Sequence, residues 1–587
     1  MTNQEIAKIL YAMADYYEMF DVAFKPRAYQ KAALAVESLD KPVLDIYREQ
    51  GFGGFLKIPG VGRGIAEHLE ELLKSGRLKI YEKFRKKIPV DLEELTAVEG
   101  VGPKTVKVLY EKLKIRTLKD LQKAVQARKL RNLSGFGQRS EERILEGLQF
   151  ATAQGKRYVL GFVEPIVENL VGRLKSSGFF DRLEVGGSYR RRQETVGDID
   201  ILGIAENPKA AMDYFVHLPD ATHIIAHGED KSEIKLENGI QVDLRLIRKE
   251  SWGAALQYFT GNKAHNIKLR KIAIEKGYKL SEYGLTPHSP PSRGGKKRGV
   301  IVDNEEKIYQ ALGLDYIPPE LRNDIGEIEA ARKHELPRLI NYGDVRGDLQ
   351  VQTDWTDGTA GIEQMAEAAR RLGREYIAIT DHTKFLAMTG GLDEKKLLKQ
   401  MAEIDKLNAK APSFPKRGKG EFRILKGAEV NILKDGSLDI KDEVLAKLDI
   451  VGVSVHSNFK MSRADMTKRI VRALSNPNVD IFFHPTTRII NRRAPIDFDF
   501  DEILKVCRKN KVALEIDAYP DRMDIHDTLI RKAVGAGVKL VIDTDAHNPA
   551  HLNFIYLGEA QARRGWATKN DVLNTRSWRE LLKYFPK

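Results

Sequence analysis

A single cysteine, Cys507, stands in 587 residues, so the chain cannot build an internal disulfide framework or a cysteine-rich zinc site. Such cysteine poverty fits a reducing, cytoplasmic setting. No apolar run approaches the roughly 18–20 residues of a spanning helix, which argues against a membrane partner. The opening stretch is amphipathic and carries Glu5, Asp15 and Glu18, so it is not expected to be a signal peptide. What is present is ordinary for globular proteins, with 42% hydrophobic and 31% charged residues. The length allows about four domains of roughly 150 residues.

The formal net charge of +14 points to a polyanionic partner. Its distribution is more telling than its size. Residues 101–150 hold 12 Lys/Arg against 5 Asp/Glu, and residues 251–300 hold 10 against 2.

The stretch GGSYRRRQETVGDIDIL (186–202) carries the clearest chemistry. Asp198 and Asp200 alternate with apolar residues as in a strand, so both carboxylates project from one face. A bare Asp-x-Asp is commonly a solvent-facing strand. Here Gly187-Ser188 precedes it, and Asp243 interrupts a second apolar strand (GIQVDLRLI), where an unpaired carboxylate is costly. Three acids on neighbouring strands match the needs of two-metal nucleotidyl transfer. Mg²⁺ or Mn²⁺ is the expected cation, and Arg190, Arg191 and Arg192 are expected to offer forked donors to a triphosphate.

Three turns upstream share a pattern. LKIPGVGRG holds Gly60, Gly62 and Gly64; AVEGVGPK holds Gly100, Gly102 and Lys104; LSGFGQ holds Gly135 and Gly137. One such turn before a helix is usually a cap. Three in a basic, helical region resemble helix-hairpin-helix elements, whose backbone N–H groups bind DNA phosphates without reading sequence.

With these motifs in place, the first half resembles a family X DNA polymerase, a relative of DNA polymerase beta. The resemblance implies that Tyr258, Phe259 and Gly261 lie against the incoming sugar, that Asn266 and Arg270 face the nascent base pair, and that Gly187, Ser188 and Arg191 hold the nucleotide. It also matches Lys25 and Tyr29 to 5′-phosphate contacts. His68 stands where lyase-active members carry a Schiff-base lysine, which argues against lyase activity.

From residue 345, short apolar strands each end in polar residues, ionisable in all but the first: Gln350/Gln352, Asp381/His382, Glu429, His456, His484, Asp517, and Asp545/His547. Chemistry at successive strand ends is the layout of a β/α-barrel. With Asp357, the series resembles a polymerase-and-histidinol-phosphatase (PHP) domain. That resemblance implies three divalent ions, Zn²⁺ or Mn²⁺, on nine ligands. Seven are present: Asp357, His382, Glu429, His456, His484, Asp545 and His547. Gln350 and Gln352 replace the expected His-x-His, which casts the ion between them, Glu429 and Asp545 into question.

The expected fold is multidomain α+β. A helical DNA-binding region with a helix-hairpin-helix spans 1–80, and a second such region, the fingers, spans 81–150. A nucleotidyltransferase palm with a mixed sheet covers 151–250, and a nucleotide-selecting thumb covers 251–318. A polar helical linker follows at 319–344, then a barrel-like PHP domain at 345–587. A mobile Pro/Gly/basic loop is expected over 287–299. The expected function is template-directed polymerisation on gapped or primer-template DNA with deoxynucleoside triphosphates, by a monomer, with a weakened or lost 3′–5′ exonuclease. The alternative is a metal-dependent PHP nuclease that uses its N-terminal half to hold DNA.

Overall fold

The computed structural model describes residues 1–585 except 2, 38, 40, 59, 97, 99, 134–135, 139, 142–143, 146–147, 149–156, 288–302, 387–388 and 411–421. The chain begins with helices. Asn3–Met19 packs along Lys25–Glu37, and Arg63–Ser75 buries Ile65, Ala66, Leu69 and Leu72, the one-sided spacing of an amphipathic helix. Gly76, at φ +67°, ends that helix in a left-handed cap. A second apolar cluster gathers Leu95, Val106, Leu109 and Leu121, and Tyr16 and Met19 of the first helix reach into it.

The palm is a five-stranded mixed sheet ordered Arg182–Val185, Asp198–Ile204, Gln241–Leu246, Lys231–Leu236, Ala221–His227. The second and third of these are parallel, and their neighbours are antiparallel. Helices Leu160–Ser176 and Pro208–Val216 bury Val163, Val167, Leu170, Met212 and Phe215 in the same cluster as Ile199, Ile201 and Val242. That cluster does not stop at the palm. It takes in Ile490, Ala518, Met523 and Leu557 from the C-terminal part. Gly161 marks the closest approach, since a Cβ there would sit 2.7 Å from Leu557 Cδ1 and 2.9 Å from Pro520 Cβ.

Helices Trp252–Thr260, Lys263–Glu275 and Glu305–Ala311 form the next unit, with the hairpin Tyr278–Ser281/Gly284–Pro287. Pro287 closes that hairpin, and the rest of the expected basic loop lies outside the described residues. The expected linker is helical at Glu327–Lys333, but it does not merely connect. Ile328, Ala331 and Leu339 share an apolar cluster with Leu269 and Tyr309. Glu327, within the stretch expected to be a polar linker, is fully buried with its carboxylate 2.6 Å from His265 Nδ1. Periodicity over so short a helix hid this face.

The C-terminal part is a seven-stranded parallel sheet in strict chain order, Gly347–Val351, Tyr376–Ile379, Arg423–Asn431, Ile450–Ser454, Ile481–Phe482, Ala513–Asp517 and Leu540–Asp543. Its strands are buried on both faces, which accounts for their near-continuous apolar runs. Gln352 N donates to Ala546 O at 2.8 Å and Ala546 N to Gln350 O at 3.1 Å, so the first and last strands meet and the sheet nearly closes.

Candidate active site and metal centre

In the palm, Asp200 and Asp243 are direct partners across the parallel pair, and Asp198 stands two residues earlier on the same strand. Burial, then Asp198 and Asp243, push the Asp200 carboxyl up to about 6. Carboxylates crowded in this way call for a cation. All-oxygen donors suit a hard ion such as Mg²⁺, so the set fits the ions expected from its chemistry. Lys231, which the sequence reading did not single out, lies 3.0 Å from Asp243 Oδ2 and also pairs with Glu233. Gln241 Nε2 donates to Asp243 Oδ1 at 2.8 Å. Alternation along the strand could have flagged Lys231, since it opens the neighbouring antiparallel strand.

Gly187 sits at φ +60°, and a Cβ there would fall 2.5 Å from Asp200 Oδ2. A Cβ on Gly186 would fall 3.0 Å from Phe259 O. The glycine pair therefore lets the turn bearing Ser188 press against both the carboxylates and the following helix. Ser188 is half-buried in the short helix Gly187–Arg190.

Arg190 and Arg192 depart from expectation. Arg190 is bound to Glu305 (2.7 and 2.8 Å) and to Thr260 Oγ1, and Arg192 is paired with Glu164. Both forks are spent on these carboxylates. Arg191 donates to Thr260 O at 2.7 Å and Asn323 Oδ1 at 3.1 Å. Burial draws it down to about 10, with Asp200 opposing, so it stays charged at neutral pH. The run joins palm to thumb, which spacing alone could not reveal: its partners lie 28 to 132 residues away.

Tyr258 and Phe259 meet edge-on at 5.1 Å between ring centroids, with Arg245 over Phe259 at 4.9 Å. Asn266 is turned inward: Nδ2 donates to Tyr258 O (2.7 Å) and Gly261 O (3.0 Å), and Oδ1 accepts from Gln257 (2.9 Å). Its amide fixes the turn at Gly261. Arg270, one turn on, is exposed.

The first two hairpins are copies in conformation. Gly60 and Gly100 adopt φ +75° and +89°, and Gly62 and Gly102 cap the next helix at φ/ψ −83°/173° and −85°/175°. Among the described residues, a Cβ on Gly62, Gly64 or Gly102 would meet nothing within 4 Å, so space lies beside those helix starts. Lys104 is paired with Asp21 at 2.5 Å on the surface. In the third copy, Gly137 O accepts from Ser140 N (3.0 Å) and Glu141 N (3.1 Å) at the head of a helical turn, and Gly135 lies outside the described residues. Lys25 Nζ sits 4.6 Å over the Tyr17 ring, and Tyr29 Oη is 2.6 Å from His68 Nδ1. Burial holds the His68 imidazole below its ordinary value.

At the C-terminal end of the barrel all seven expected ligands converge. Glu429 Oε1 lies 3.0 Å from His456 Nε2 and 2.8 Å from His484 Nε2, and its Oε2 lies 3.3 Å from His382 Nδ1. Asp357 Oδ2 lies 3.6 Å from His382 Nε2 and 3.7 Å from His547 Nε2. Asp357, His382 and His547, and His382, Glu429 and His456, each bring one donor atom within 4.8 Å of one another. Burial lowers His547, but Asp357 and Asp545 overcome it and carry the imidazole up to about 10. His484 and Asp545 adopt φ +27° and +49°, strained for residues with a side chain and of a kind that accumulates at functional sites. Mixed imidazole and carboxylate donors fit ions such as Zn²⁺ or Mn²⁺ at these two places.

The third place does not fit an ion. Gln352 Nε2 donates to Glu429 Oε2 at 2.9 Å, and fully buried Gln350 finds no partner for either end of its amide among the described residues. Arg522, absent from the sequence reading, lies 3.5 Å from Asp545 and 3.6 Å from Asp517. A fixed guanidinium thus supplies positive charge beside Asp545.

Between this barrel end and the N-terminal helices runs a cleft of about 2040 Å³ that reaches Asp357 and His547.

Comparisons with known proteins agree with this arrangement. Residues 1–78 match the family model "Helix-hairpin-helix domain", 92–149 "SAM-like Helix-hairpin-helix tandem", and 255–323 "DNA polymerase beta thumb". The chain is 36% identical over 586 residues to DNA polymerase/3′-5′ exonuclease PolX of Bacillus subtilis (strain 168), covering 99% of each chain. It is 27% identical over 352 residues to DNA polymerase lambda of Rattus norvegicus, 55% of this chain and 56% of that one. The DNA polymerase lambda of Arabidopsis thaliana is 25% identical over 348 residues, 55% of this chain and 62% of that one.

Proposed function

The chain belongs to the bacterial family X DNA polymerases, and we propose that it fills short gaps in DNA during repair through the three palm carboxylates. The register pairing of Asp200 with Asp243, with Asp198 beside them, carries this reading. Divalent ions of the Mg²⁺ or Mn²⁺ type, held by Asp198, Asp200 and Asp243, would acidify the primer 3′-hydroxyl and neutralise the departing pyrophosphate. Asp243 draws the proton from that hydroxyl. The oxygen then bonds the α-phosphorus as the bond to the β-phosphate oxygen breaks. Gly187, Ser188 and Arg191 hold the triphosphate. Tyr258, Phe259 and Gly261 carry the sugar, on a turn stiffened by Asn266, and Arg270 faces the base pair.

The hairpins at Gly60–Gly64, Gly100–Lys104 and Gly135–Gly137, with Lys25 and Tyr29, hold the duplex and the gap's 5′ end through phosphates. Such contacts suit a polymerase that acts irrespective of sequence. The protein works as a cytoplasmic monomer. The barrel, with Zn²⁺ or Mn²⁺ on its two well-formed ligand groups, retains a weak 3′–5′ exonuclease; the proximity of Asp357, His382 and His547 supports this second activity.

Primer extension across a one-nucleotide gap, run with Mg²⁺ and with Mn²⁺, tests the first reading. Extension by the parent and none by Asp243→Asn is the expected result. Equal extension by both would remove Asp243 from the mechanism.

A further inference from the structure

The cleft between the N-terminal helices and the barrel belongs neither to the palm nor to the hairpin turns. One wall carries Arg27 and Lys31 on the helix Lys25–Glu37, and Arg85 and Lys86 on the helix Lys79–Lys87. Arg492, from the C-terminal part, lines it as well. All five are exposed, and among the described residues Arg27, Lys31, Arg85 and Lys86 form no ion pair. Asp15, Glu82, Asp91 and Asp521 also line the cleft, so the cations outnumber these acids without displacing them. Exposed cations in excess on a concave surface concentrate polyanions there.

Aromatic side chains line it too. Tyr11 is 36% exposed and Phe162 39% exposed. Cations that track a backbone, interleaved with aromatic faces for bases, describe a single-strand track; a duplex hides its bases and needs only the charge. The cleft is bounded at one end by Asp357 and His547, two of the groups that converge at the barrel end. Only a strand separated from its complement can follow a channel into that enclosed cluster.

We propose that this cleft binds single-stranded DNA and leads an unpaired strand end from the N-terminal helices to the barrel. The inference rests on the reading that the chain handles DNA, and it adds a second path distinct from the duplex path through the palm. Arg85 and Arg492 line it from distant parts of the chain and belong to neither the palm nor the hairpin turns, so reversing both charges should repel a strand there and leave those sites untouched.

The test uses the full chain and fluorescence anisotropy with labelled (dT)12, compared for the parent and Arg85→Glu/Arg492→Glu. The parent should bind (dT)12, and the double variant should bind it at least about tenfold more weakly at low salt with a shallower salt dependence. One-nucleotide gap filling should stay at the parent rate, which also certifies the fold. Unchanged affinity for (dT)12, or no measurable binding by the parent, would overturn the proposal. So would a parallel fall in gap filling with unaltered thermal unfolding, because the cleft would then serve the duplex. Failure of the polymerase reading would appear separately, as a parent unable to extend a primer.

Discussion

Asp200 and Asp243 face each other as register partners on two parallel strands, and Lys231 reaches Asp243 from the next strand at 3.0 Å. The lysine partly offsets the negative charge that the pair concentrates. Removing a carboxylate therefore changes two things at once: the donor set, and the balance Lys231 keeps.

Asp243→Asn should cut single-turnover incorporation by two or more orders of magnitude, while affinity for gapped DNA stays within about twofold. Single-turnover primer extension and an equilibrium binding assay separate the two effects. Lys231→Met should preserve measurable extension, since Lys231 neutralises charge without meeting substrate. Complete loss in Lys231→Met would assign it a direct role.

The palm–thumb joint should be acid-sensitive. Burial raises Glu305, but Arg322 and Arg190 overcome it and hold the carboxyl down at about 2, against an ordinary 4.5. A depressed acid contributes stability that is complete above 4.5 and disappears as pH falls toward 2. Glu305→Gln strands buried Arg322 and half-buried Arg190 and should cost about 3–5 kcal/mol at pH 7. The gap in melting temperature between parent and variant should narrow below pH 4.5. A constant gap down to pH 3 would contradict the assignment.

Binding of gapped DNA should be tolerant of sequence and steeply dependent on salt, because the hairpins offer backbone N–H groups to phosphates. Gly62→Pro with Gly102→Pro would take away two of those donors and should weaken binding several-fold. Borohydride should trap no imine with an abasic 5′ end, since His68 is bonded to Tyr29 and lacks an amine. A trapped adduct would point to Lys25 or Lys74.

Metal analysis of the dialysed full chain, in an Asp198→Asn/Asp200→Asn background, should find two tightly held ions. Gln350→His/Gln352→His should bring a third and speed 3′–5′ degradation. Three ions in the unaltered barrel would show that the glutamines suffice.

Much of this was legible before any coordinates. The seven barrel strands announce themselves because each is apolar on both faces and ends in a polar residue, ionisable in six of the seven. The hairpin glycines could be read because local geometry demands them. Contacts between distant residues could not. Arg190 with Glu305 spans 115 residues, and Arg488 with Glu194 spans 294, so no periodicity connects them. The arginine run misled because a forked cation suits a buried carboxylate as well as a phosphate. Arg522 escaped notice for the same reason, being an unremarkable loop arginine until Asp545 and Asp517 are seen beside it.

The close fit of Gly161 against Leu557 and Pro520 bears on the ancestry of the gene. A recombination break near residue 340 would hand one descendant a palm with its apolar flank bare and the other a barrel exposing Leu557 and Met523. Each piece would carry a bare apolar face that the joined chain covers.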